Sequence, residues 1–560
     1  MRYLPFVLIL PVLSCSSPKT GPTSPIRGEN RPRIVNIINF IRLCEPRDEQ
    51  ITEQVLYETV VEQVRILKEY HLPGTFLLQY DALLDKHYQD LLTSLPDSQF
   101  EIGAWWEIPE PLVVNSGYAW RGRYPWDWHA NVGFSTGYTP EERERLVDTY
   151  MRDFKKVFGY YPRSVGSWFI DEHTLNYLYE KYGIIASCNC KDQIGTDGYT
   201  LWGGYWSQAY YPSKKNSYIP AQDAENQIPV PVFRMLGSDP IHQYDAGLGL
   251  KTQHVVSLEP VYSGGGGNQD WCNWFFHELV TQPCLAFSYV QVGQENSFTW
   301  KAMEKGYRIQ MPLIDQLRKE GKVVVQTLRE SGEWFRKQYP TTPPTAMCAL
   351  SDHSDRNLKT VWFNSRFYRA NLLWEDGTLR FRDIHCFDED IESDYLREKG
   401  TSTSCNFFTL PVVDGFRWST PDQIAGLRFK VKEGNEPVKI TGGDPVVDEP
   451  EPGILRVTWP VAKPSGEIII TFSEQTLTLK AKGKALKNWF LELSCCEGAD
   501  LPEIRVSEKS VEYRYKSHPY ALIAKSGTFQ PGSAPLSVFE INPERNTIIL
   551  DLLRPGENLN

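Results

Sequence analysis

The sequence predicts an α/β first half followed by an antiparallel β module. Between residues 33 and 335, strand-like apolar segments alternate with segments whose apolar residues recur at helical spacing. This alternation predicts parallel strands joined by crossover helices, in either a barrel or a doubly wound sheet. From about residue 340 to 560 the segments are short and alternating, and Gly, Pro, Asn and Asp turns separate them. That pattern predicts an antiparallel module, most simply a sandwich.

The elements of the first half follow in order along the chain. The helix predicted at 50–70 ends at His71-Leu72-Pro73-Gly74, and two later helices end at Gly159 and Gly183. Glycine is the usual residue just past a helix end, because it adopts left-handed backbone angles without strain. The predicted helices are 50–70, 83–95, 141–158 and 174–182. The predicted strands are 33–42, 75–80, 100–105, 165–170, 184–188, 230–236, 254–259, 284–292 and 322–328.

Composition excludes several classes of protein. Hydrophobic residues make up 41% and charged residues 23%, which excludes a disordered chain, a collagen-like chain and a coiled coil. The net charge of −11, with no basic run, argues against a nucleic-acid partner. Aromatic residues reach 13%, and many tryptophans lie among Gly, Asp and Arg rather than in apolar runs. Such residues suit either large cores or platforms for sugar rings.

The N-terminus has the pattern of an export signal. Residues 3–13 are apolar but too few to span a membrane, and a polar stretch follows. Val12-Leu13-Ser14-Cys15 resembles a bacterial lipobox, which implies cleavage before Cys15 and lipidation of that residue. The alternative is a plain secretory signal with an incidental cysteine. We therefore expect a lipoprotein signal peptide at 1–15, a tether at 16–32, and an exported protein anchored by lipid at the bacterial envelope.

Neither a metal nor another cofactor is expected from local spacing. His129 and His173 lack the HxxxH or HxxEH spacing of zinc sites. The closest cysteine pairs, Cys188 with Cys190 and Cys495 with Cys496, form no CxxC motif. Most cysteines are therefore expected to be small buried residues.

Candidate functional residues lie after the predicted strands, where α/β barrels carry their chemistry. Carboxylates recur there, and five tryptophans lie between 105 and 128. Each candidate also has a structural interpretation: Asp171 as a helix cap, Glu107 as partner of Arg121 or Arg123, and Glu45 as partner of Arg42 or Arg47. The predicted substrate-binding residues are Glu45, Trp105, Trp106, Glu107, Arg121, Arg123, Trp126, Asp127, Trp128, His129, Asp192, Asp239 and Glu259.

Two segments resemble glycoside hydrolase family 57. Residues 166–172 (GSWFIDE), with the helix and Gly183-Ile184 that follow, resemble the region that carries the family's nucleophile, which implies that role for Asp171. Residues 293–300 (GQENSFTW) are similar to the region that carries the acid/base aspartate. That aspartate would fall on Gly293, so Glu295 is the substitute candidate. The family's first-strand His-Gln-Pro would correspond to Cys44-Glu45-Pro46, and its second-region histidine would fall near Glu107.

The wider group includes family 38 α-mannosidases and polysaccharide deacetylases. Residues 101–107 resemble the deacetylase strand that carries a metal-binding histidine, and residues 154–162 also resemble that group. The resemblance covers residues 33–335 and implies a distorted (β/α)7 barrel of the glycoside hydrolase/deacetylase superfamily. The deacetylase Asp-Asp and His-x₃₋₄-His motifs are absent.

The sequence therefore predicts an exported glycoside hydrolase that acts on an oligo- or polysaccharide. Asp171 would be the nucleophile and Glu295 the acid/base, with Glu172 able to exchange roles with Asp171. Two alternatives remain: a glycan-binding surface lipoprotein without catalysis, and a metal-assisted deacetylase-like enzyme. The former needs aromatic platforms but no paired carboxylates.

The predicted domains are a catalytic barrel at 33–338 and a β-rich module at 339–560 that packs against it. The linker around Pro343-Pro344 is short and stiff, which favours fixed docking. Aromatic and arginine-containing stretches at 362–369 and 410–418 would be costly if exposed. Arg366, Arg369 or Arg417 could then reach the rim of the site.

Overall fold

The first half of the chain forms a nearly closed barrel in the computed structural model, which describes residues 31–434 and 436–552. Seven parallel strands lie in the order β10-β1-β2-β3-β4-β5-β9, β8 pairs antiparallel with β9, and β11 also pairs with β1. The strands of this half are β1 (Arg33–Ile41), β2 (Gly74–Leu78), β3 (Phe100–Trp105), β4 (Ser164–Gly166), β5 (Ala186–Asn189), β6 (Gln193–Thr196), β7 (Tyr199–Trp202), β8 (Ala209–Tyr210), β9 (Val232–Arg234), β10 (Ser288–Val292) and β11 (Val324–Gln326). The predicted α/β fold is confirmed as a distorted barrel.

Helices flank this barrel. They are α1 (Glu53–Glu69), α2 (Tyr80–Leu84), α3 (Lys86–Thr93), α4 (Glu110–Asn115), α5 (Ala130–Gly133), α6 (Pro140–Phe158), α7 (Glu172–Tyr182), α8 (Gln269–Thr281), α9 (Trp300–Lys319) and α10 (Leu328–Gln338). Helix α6 starts at a capping box formed by Thr139 and Glu142 and ends at Gly159, whose φ of 82° is left-handed. No helix in the described part of the chain has the length and apolar character needed to cross a membrane.

Two antiparallel sheets form the second half, as predicted. One follows the order β12-β13-β14-β15-β18-β25-β30-β29 and the other β20-β22-β23-β24-β31-β28-β27-β26. Their facing sides meet through aromatic rings: Phe472 lies 5.3 Å from Phe363 and 6.4 Å from Phe381 between ring centroids.

Several strands of this β module, such as β22 to β24, alternate between buried and more exposed residues, whereas β12 to β15 are buried almost throughout. The strands of the module are β12 (Thr345–Ala349), β13 (Lys359–Asn364), β14 (Tyr368–Glu375), β15 (Thr378–Cys386), β16 (Cys405–Phe408), β17 (Leu410–Asp414), β18 (Gly426–Glu433), β19 (Glu436–Lys439), β20 (Thr441–Gly442), β21 (Val446–Glu451), β22 (Ile454–Lys463), β23 (Gly466–Phe472), β24 (Thr476–Lys482), β25 (Trp489–Ser494), β26 (Glu503–Val506), β27 (Ser510–Tyr515), β28 (His518–Ser526), β29 (Thr528–Pro531), β30 (Ser537–Asn542) and β31 (Thr547–Asp551).

One predicted strand of the barrel is wrong. Residues 254–259 form no strand; Ser257 makes only an isolated bridge with Ser238. The backbone there bonds to loops instead, because Gly266 N–H donates to the Ser257 carbonyl at 2.8 Å. A second prediction was too long: β4 ends at Gly166, so residues 167–170 lie beyond the strand.

A segment of the β module crosses to the barrel. Residues 387–408, here called the crossing segment, connect β15 to the end of β16, and β16 pairs in parallel with β7. Gly400 N–H donates to the Thr136 carbonyl at 2.7 Å, and Phe407 packs on Phe169 with ring centroids 5.4 Å apart. The crossing segment therefore covers the barrel next to β4.

Further contacts join the β module to the barrel. Trp362 stacks on Trp206 at 3.8 Å between ring centroids. Of the three arginines expected near the rim, Arg369 pairs with Asp192 and Arg366 donates to the Gln222 carbonyl, whereas the exposed Arg417 contacts Tyr515 of the β module itself. The division into domains at residue 338 stays a prediction, as do the signal peptide and tether, which lie outside the described residues apart from Arg31 and Pro32.

Ten cysteines of the described residues carry free thiols, and nine of these side chains are buried. The prediction that most cysteines are small buried residues is confirmed. Cys15 lies outside the described residues.

Candidate active site at the barrel mouth

The carboxyl ends of four barrel strands bring buried polar side chains together. Arg42 directly follows β1, Gln79 directly follows β2, Glu107 comes two residues after β3, and Glu295 comes three residues after β10. Parallel strands end on the same side of a barrel, so their following residues meet at one rim. All four side chains are almost completely buried.

Arg42 is the centre of this group. Its Nε and Nη2 donate to the Glu107 carboxylate at 2.9 and 2.8 Å, and its Nη1 lies 2.9 Å from Glu295 Oε2. Gln79 Nε2 adds a third hydrogen bond to Glu107 at 3.1 Å. One guanidinium therefore holds two carboxyl groups from opposite sides of β1. The predicted pairing of Glu107 with Arg121 or Arg123 is wrong.

Glu295 combines burial with incomplete hydrogen bonding. Burial raises its pKa from 4.5 to about 7, against the lowering effect of Arg42. Oε1 accepts from Ser297 Oγ at 2.8 Å, whereas no hydrogen bond of suitable geometry reaches Oε2 within the described residues. A carboxyl group of this kind exchanges a proton near neutral pH, which a general acid requires.

Aromatic rings lie against the charged cluster. The Arg42 guanidinium lies 4.0 Å from the centre of the buried Trp126 ring, and Arg47 lies 5.1 Å from the same ring. The half-buried Trp128 stacks with exposed Tyr124 at 5.9 Å between ring centroids. Arginines also lie over Trp128, with Arg47 at 5.3 Å and Arg123 at 4.6 Å from the ring centre. The aromatic surface near the rim is therefore limited to the exposed parts of Trp128 and Tyr124.

A second ion-pair group covers the rim. Arg47 donates to Glu45 at 2.6–3.1 Å and to Asp197 Oδ1 at 3.1 Å. Burial tends to raise the pKa of Glu45, but its bonds from Arg47 lower it overall. The prediction that Glu45 pairs with Arg42 or Arg47 is confirmed for Arg47. Side chains of Arg47 and Asp197 are about one-third exposed, at 33% and 32%.

The predicted aromatic loop is held by its own ion pair. Arg123 donates to both oxygens of Asp127 at 2.8 and 2.7 Å. Although burial acts to raise the pKa of Asp127, these bonds lower it to about 2. His129 N–H donates to Asp127 at 3.2 Å, and exposed Arg121 donates to the Gly137 carbonyl at 2.9 Å. These residues shape the loop, and none contacts Glu107 or Glu295 within the described part of the chain.

Asp171 does not lie in this cluster, which corrects its expected pairing with Glu295. Oδ1 accepts from Arg143 Nη1 and Thr174 N–H, both at 2.9 Å, and Oδ2 accepts from Ser135 and Thr174 hydroxyls at 2.5 and 2.7 Å. The side chain is fully buried beneath the crossing segment, where Arg143 also donates to the Tyr395 carbonyl. Asp171 is the N-cap of α7 and the counter-ion of Arg143.

Glu172 lies beside Asp171 and is equally buried. Burial and the neighbouring charge of Asp171 raise its pKa above the usual range. Its Oε2 accepts from Ser217 N–H at 3.2 Å, and no contact joins it to Glu295 among residues 31–434 and 436–552. Both carboxyl groups are closed off from solvent, so the structure offers no support for either Asp171 or Glu172 as the nucleophile.

Asp192, predicted to bind substrate, is fully engaged by protein. It pairs with Arg234 at 2.6 Å and with Arg369 of the β module at 2.5 Å, and it accepts from Tyr218 OH and Gly203 N–H at 2.5 and 3.0 Å. Removing this carboxylate would leave two buried arginines without their common partner.

Asp239 and Glu259 are also buried and bonded. Asp239 accepts from Trp271 Nε1 and from backbone N–H groups, and it lies near His353. Glu259 accepts from Ser257 Oγ at 2.7 Å and Gln294 Nε2 at 3.0 Å. Glu259 is thus linked to the residue that precedes Glu295.

Two tryptophans predicted to bind substrate, Trp105 and Trp106, point in opposite directions. Trp105 packs inside the barrel on Phe40, with ring centroids 4.0 Å apart. Trp106 packs outwards on Tyr150 of α6, at 6.1 Å. Successive residues of a strand alternate between its faces, so both could not line one wall. Both are fully buried in these contacts, so neither forms the wall of an open pocket, and a role of either in substrate binding stays a prediction.

Sequence reasoning did not assign a site role to Arg42, Gln79 or Arg47. Each directly follows or closely follows a buried strand, which is the signal that could have identified them. The partners of these residues could not be identified from local sequence. Arg42 and Glu295, for example, are separated by most of the first half of the chain and meet only because β10 pairs with β1.

Similarity to solved structures was found, while no protein-family model and no curated protein matches the sequence. The chain is similar to a glycoside hydrolase/deacetylase-type protein from Parabacteroides distasonis, with 18% identity, a TM-score of 0.48, and coverage of 67% of this chain and 88% of the other. It is also similar to a polysaccharide deacetylase from Mycobacterium smegmatis, with 12% identity, a TM-score of 0.34, and coverage of 57% and 95%. A 4-alpha-glucanotransferase from Thermococcus litoralis has 10% identity, a TM-score of 0.32, and coverage of 93% and 99%.

Proposed function

We propose that this chain is a carbohydrate-active enzyme, a glycoside hydrolase, with Glu295 as general acid and Glu107 as the second carboxylate. The observation that carries the proposal is the shared guanidinium: Arg42 contacts Glu107 and Glu295 at 2.8–2.9 Å. Glycosidic cleavage requires two carboxyl groups, roughly 5–9.5 Å apart, on either side of the scissile bond. A bridge by one guanidinium supports a separation on that scale.

The two carboxyl groups have different environments, as the reaction requires. Glu295, with a pKa near 7, donates a proton to the leaving-group oxygen. Glu107 accepts three hydrogen bonds from Arg42 and Gln79, which stabilise its negative charge. Glu107 then acts either as nucleophile or as base toward a water molecule. The configuration of the first-formed sugar, observed by NMR, distinguishes these two courses.

Access of a substrate to Glu107 and Glu295 requires movement of the ion-pair group formed by Glu45, Arg47 and Asp197, here called the rim cover. Glu107 is fully buried and Glu295 is 4% exposed. Arg47 and Asp197 form a partly exposed pair above them, and such pairs contribute only about 0–1 kcal/mol. A sugar that replaces the Arg47 contacts and stacks on Trp128 or Tyr124 could therefore open the site at modest cost.

The test is a screen of aryl glycosides and glycans with the purified protein, followed by Glu295→Gln on the substrate identified. We expect kcat/KM to fall at least about 100-fold, because the glutamine amide has no acidic proton to transfer to the leaving group. The matched control is Glu101→Gln. Glu101 is also 4% exposed and also has a pKa raised by burial, but it lies in β3 near the opposite end of the barrel.

Each outcome of this test is decisive. A fall confined to Glu295→Gln supports the proposal, provided that circular dichroism shows both variants folded. Activity of Glu295→Gln within about threefold of wild type would refute the acid role, since the barrier would change by less than ~1 kcal/mol. Glycan binding with no turnover of any substrate would favour the glycan-binding alternative instead.

We also propose that the protein is exported and anchored by lipid at Cys15. The support is the apolar stretch at 3–13 and the lipobox-like residues before Cys15. Metabolic labelling with a palmitate analogue should mark the wild type but not Cys15→Ser. Absence of label on the wild type would contradict lipidation.

A further inference from the structure

We propose that Asp239, His242 and His353 form a zinc site that joins the barrel to the β module. One potential ligand atom from each residue lies within 4.8 Å of the others. Asp239 and His242 belong to the loop after β9, whereas His353 lies between β12 and β13. The site is independent of the proposed hydrolase reaction, because none of its residues contacts Arg42, Glu107 or Glu295 in the described part of the chain.

Asp239 is held in place by neighbouring donors. Its Oδ1 accepts from the backbone N–H groups of Ile241 and His242, both at 2.8 Å. Its Oδ2 accepts from Trp271 Nε1 at 2.8 Å and lies 3.7 Å from His353 Nε2. The carboxylate is therefore already oriented toward the imidazole of the β module.

His242 has the supporting contact that metal-binding histidines commonly have. Its Nε2 lies 2.8 Å from Asp352 Oδ1, so the ring donates to a carboxylate and leaves Nδ1 as the other nitrogen. Asp352 is itself fixed by the backbone N–H groups of Ser354 and Leu358, both at 3.0 Å. A carboxylate on one ring nitrogen fixes the tautomer and makes the other nitrogen a better ligand.

The ligand types favour zinc. Two imidazoles and one carboxylate are a recurrent three-residue set for Zn²⁺, with a water molecule completing the tetrahedron. Calcium and magnesium prefer sites built from oxygen alone. The side chains of His242 and His353 are 18% and 28% exposed, so an ion can reach them from solvent.

Zinc bound here would cross-link two parts of the chain more than 100 residues apart. A ligand that binds only the folded protein raises the free energy of unfolding, and the increase grows with the logarithm of the ligand concentration once this exceeds Kd. We therefore expect zinc to raise the melting temperature of the full chain. A local sequence motif could not have predicted this zinc site, because its ligands come from two segments, 239–242 and 352–353, that are distant in sequence.

The experiment uses the full chain, stripped with EDTA and titrated with ZnCl₂. We expect one zinc per chain by calorimetry and elemental analysis, and a melting temperature higher by roughly 2 °C or more. His353→Ala and His242→Ala should each weaken zinc binding at least tenfold. The control is His87→Ala, which removes a histidine that is 79% exposed at the start of α3.

Two results would overturn the assignment. One is zinc binding well below one per chain in the wild type. The other is unchanged affinity in both histidine variants, which would place the ion elsewhere. Titration with Co²⁺ separates these cases further, since bound cobalt should show no thiolate charge-transfer band; such a band would indicate cysteine ligands.

Discussion

The carboxylates on the two sides of the barrel mouth differ in how many hydrogen-bond and ion-pair partners they have. Next to β4 and β5, Asp171 and Asp192 each accept four hydrogen bonds or ion-pair contacts, and segments of the β module contribute to their surroundings. Next to β1, β3 and β10, Glu107 and Glu295 share the single cation Arg42. Position after a barrel strand is common to all four. Of these four, only Glu295 retains a carboxyl oxygen without a well-placed donor, but Glu172 Oε1 next to β4 also lacks one. The feature that distinguishes the candidate catalytic side is therefore the cation Arg42, which Glu107 and Glu295 share.

The largest effect expected from this contrast is on stability. Asp171→Ala removes a helix cap and leaves Arg143 buried without its counter-ion, which should lower the free energy of unfolding by about 3–5 kcal/mol. The matched control is Asp85→Ala, which removes the more exposed N-cap of α3 and should cost about 1 kcal/mol. Urea and thermal unfolding provide the measurement. Equal losses in the two variants would contradict the structural role of the Arg143–Asp171 pair.

The second effect is a pH dependence on the opposite side. Burial raises the pKa of Glu295 to about 7 in the folded protein, from 4.5. Unfolding between these pH values therefore releases a proton, so the contribution of Glu295 to stability declines as pH rises from about 4.5 to 7, by about 3 kcal/mol in total. Glu295→Gln should remove this part of the slope. The control is Glu436→Gln, at an exposed strand position.

Unfolding free energies measured from pH 4 to 8 test this second expectation. Curves of wild type and Glu295→Gln that remain parallel would show that Glu295 does not bind a proton more tightly in the folded state. The difference between curves is the relevant quantity, because Asp81 also has a pKa raised to about 7 by burial.

The smallest effect concerns the rim cover. Arg47→Ala removes the bonds to Glu45 and Asp197, and Asp197→Ala removes only the outer pair. Asp197→Ala should change stability by no more than about 1 kcal/mol, since both charges of that pair are about one-third exposed. Arg47→Ala should cost more than Asp197→Ala, because it also leaves the buried Glu45 carboxylate without its partner. On an identified substrate, KM should change more than kcat. A loss of kcat in Arg47→Ala as large as that in Glu295→Gln would place Arg47 in the chemical step.

Local pattern was sufficient to predict the order of elements. Helix ends at Gly159 and Gly183 have the left-handed angles that glycine favours, and the alternating segments of the second half became strands. The prediction of a barrel strand at 254–259 was wrong. An apolar run looks the same in sequence whether its backbone bonds to a neighbouring strand or, as here, to the glycine-rich loop that contains Gly266.

The partners of charged residues could not be predicted in the same way. Asp171 and Arg143 are 28 residues apart, whereas Asp192 and Arg369 are 177 residues apart, and Asp239 meets His353 from another part of the fold. The sequence located carboxylates at strand ends. Which of them are neutralised by distant cations depends on how the β module closes over the barrel.

The parallel pairing of β7 with β16 has a consequence for synthesis of the chain. Tyr199 pairs with Cys405, so β7 must remain without this neighbour until the ribosome has added about 200 more residues. At roughly 5–20 residues per second, that interval lasts on the order of 10–40 s. During this time the edge of β7 and one side of the Phe169 ring lack the neighbours β16 and Phe407 that later cover them. The chain therefore has a co-translational window in which a chaperone has an apolar surface to bind.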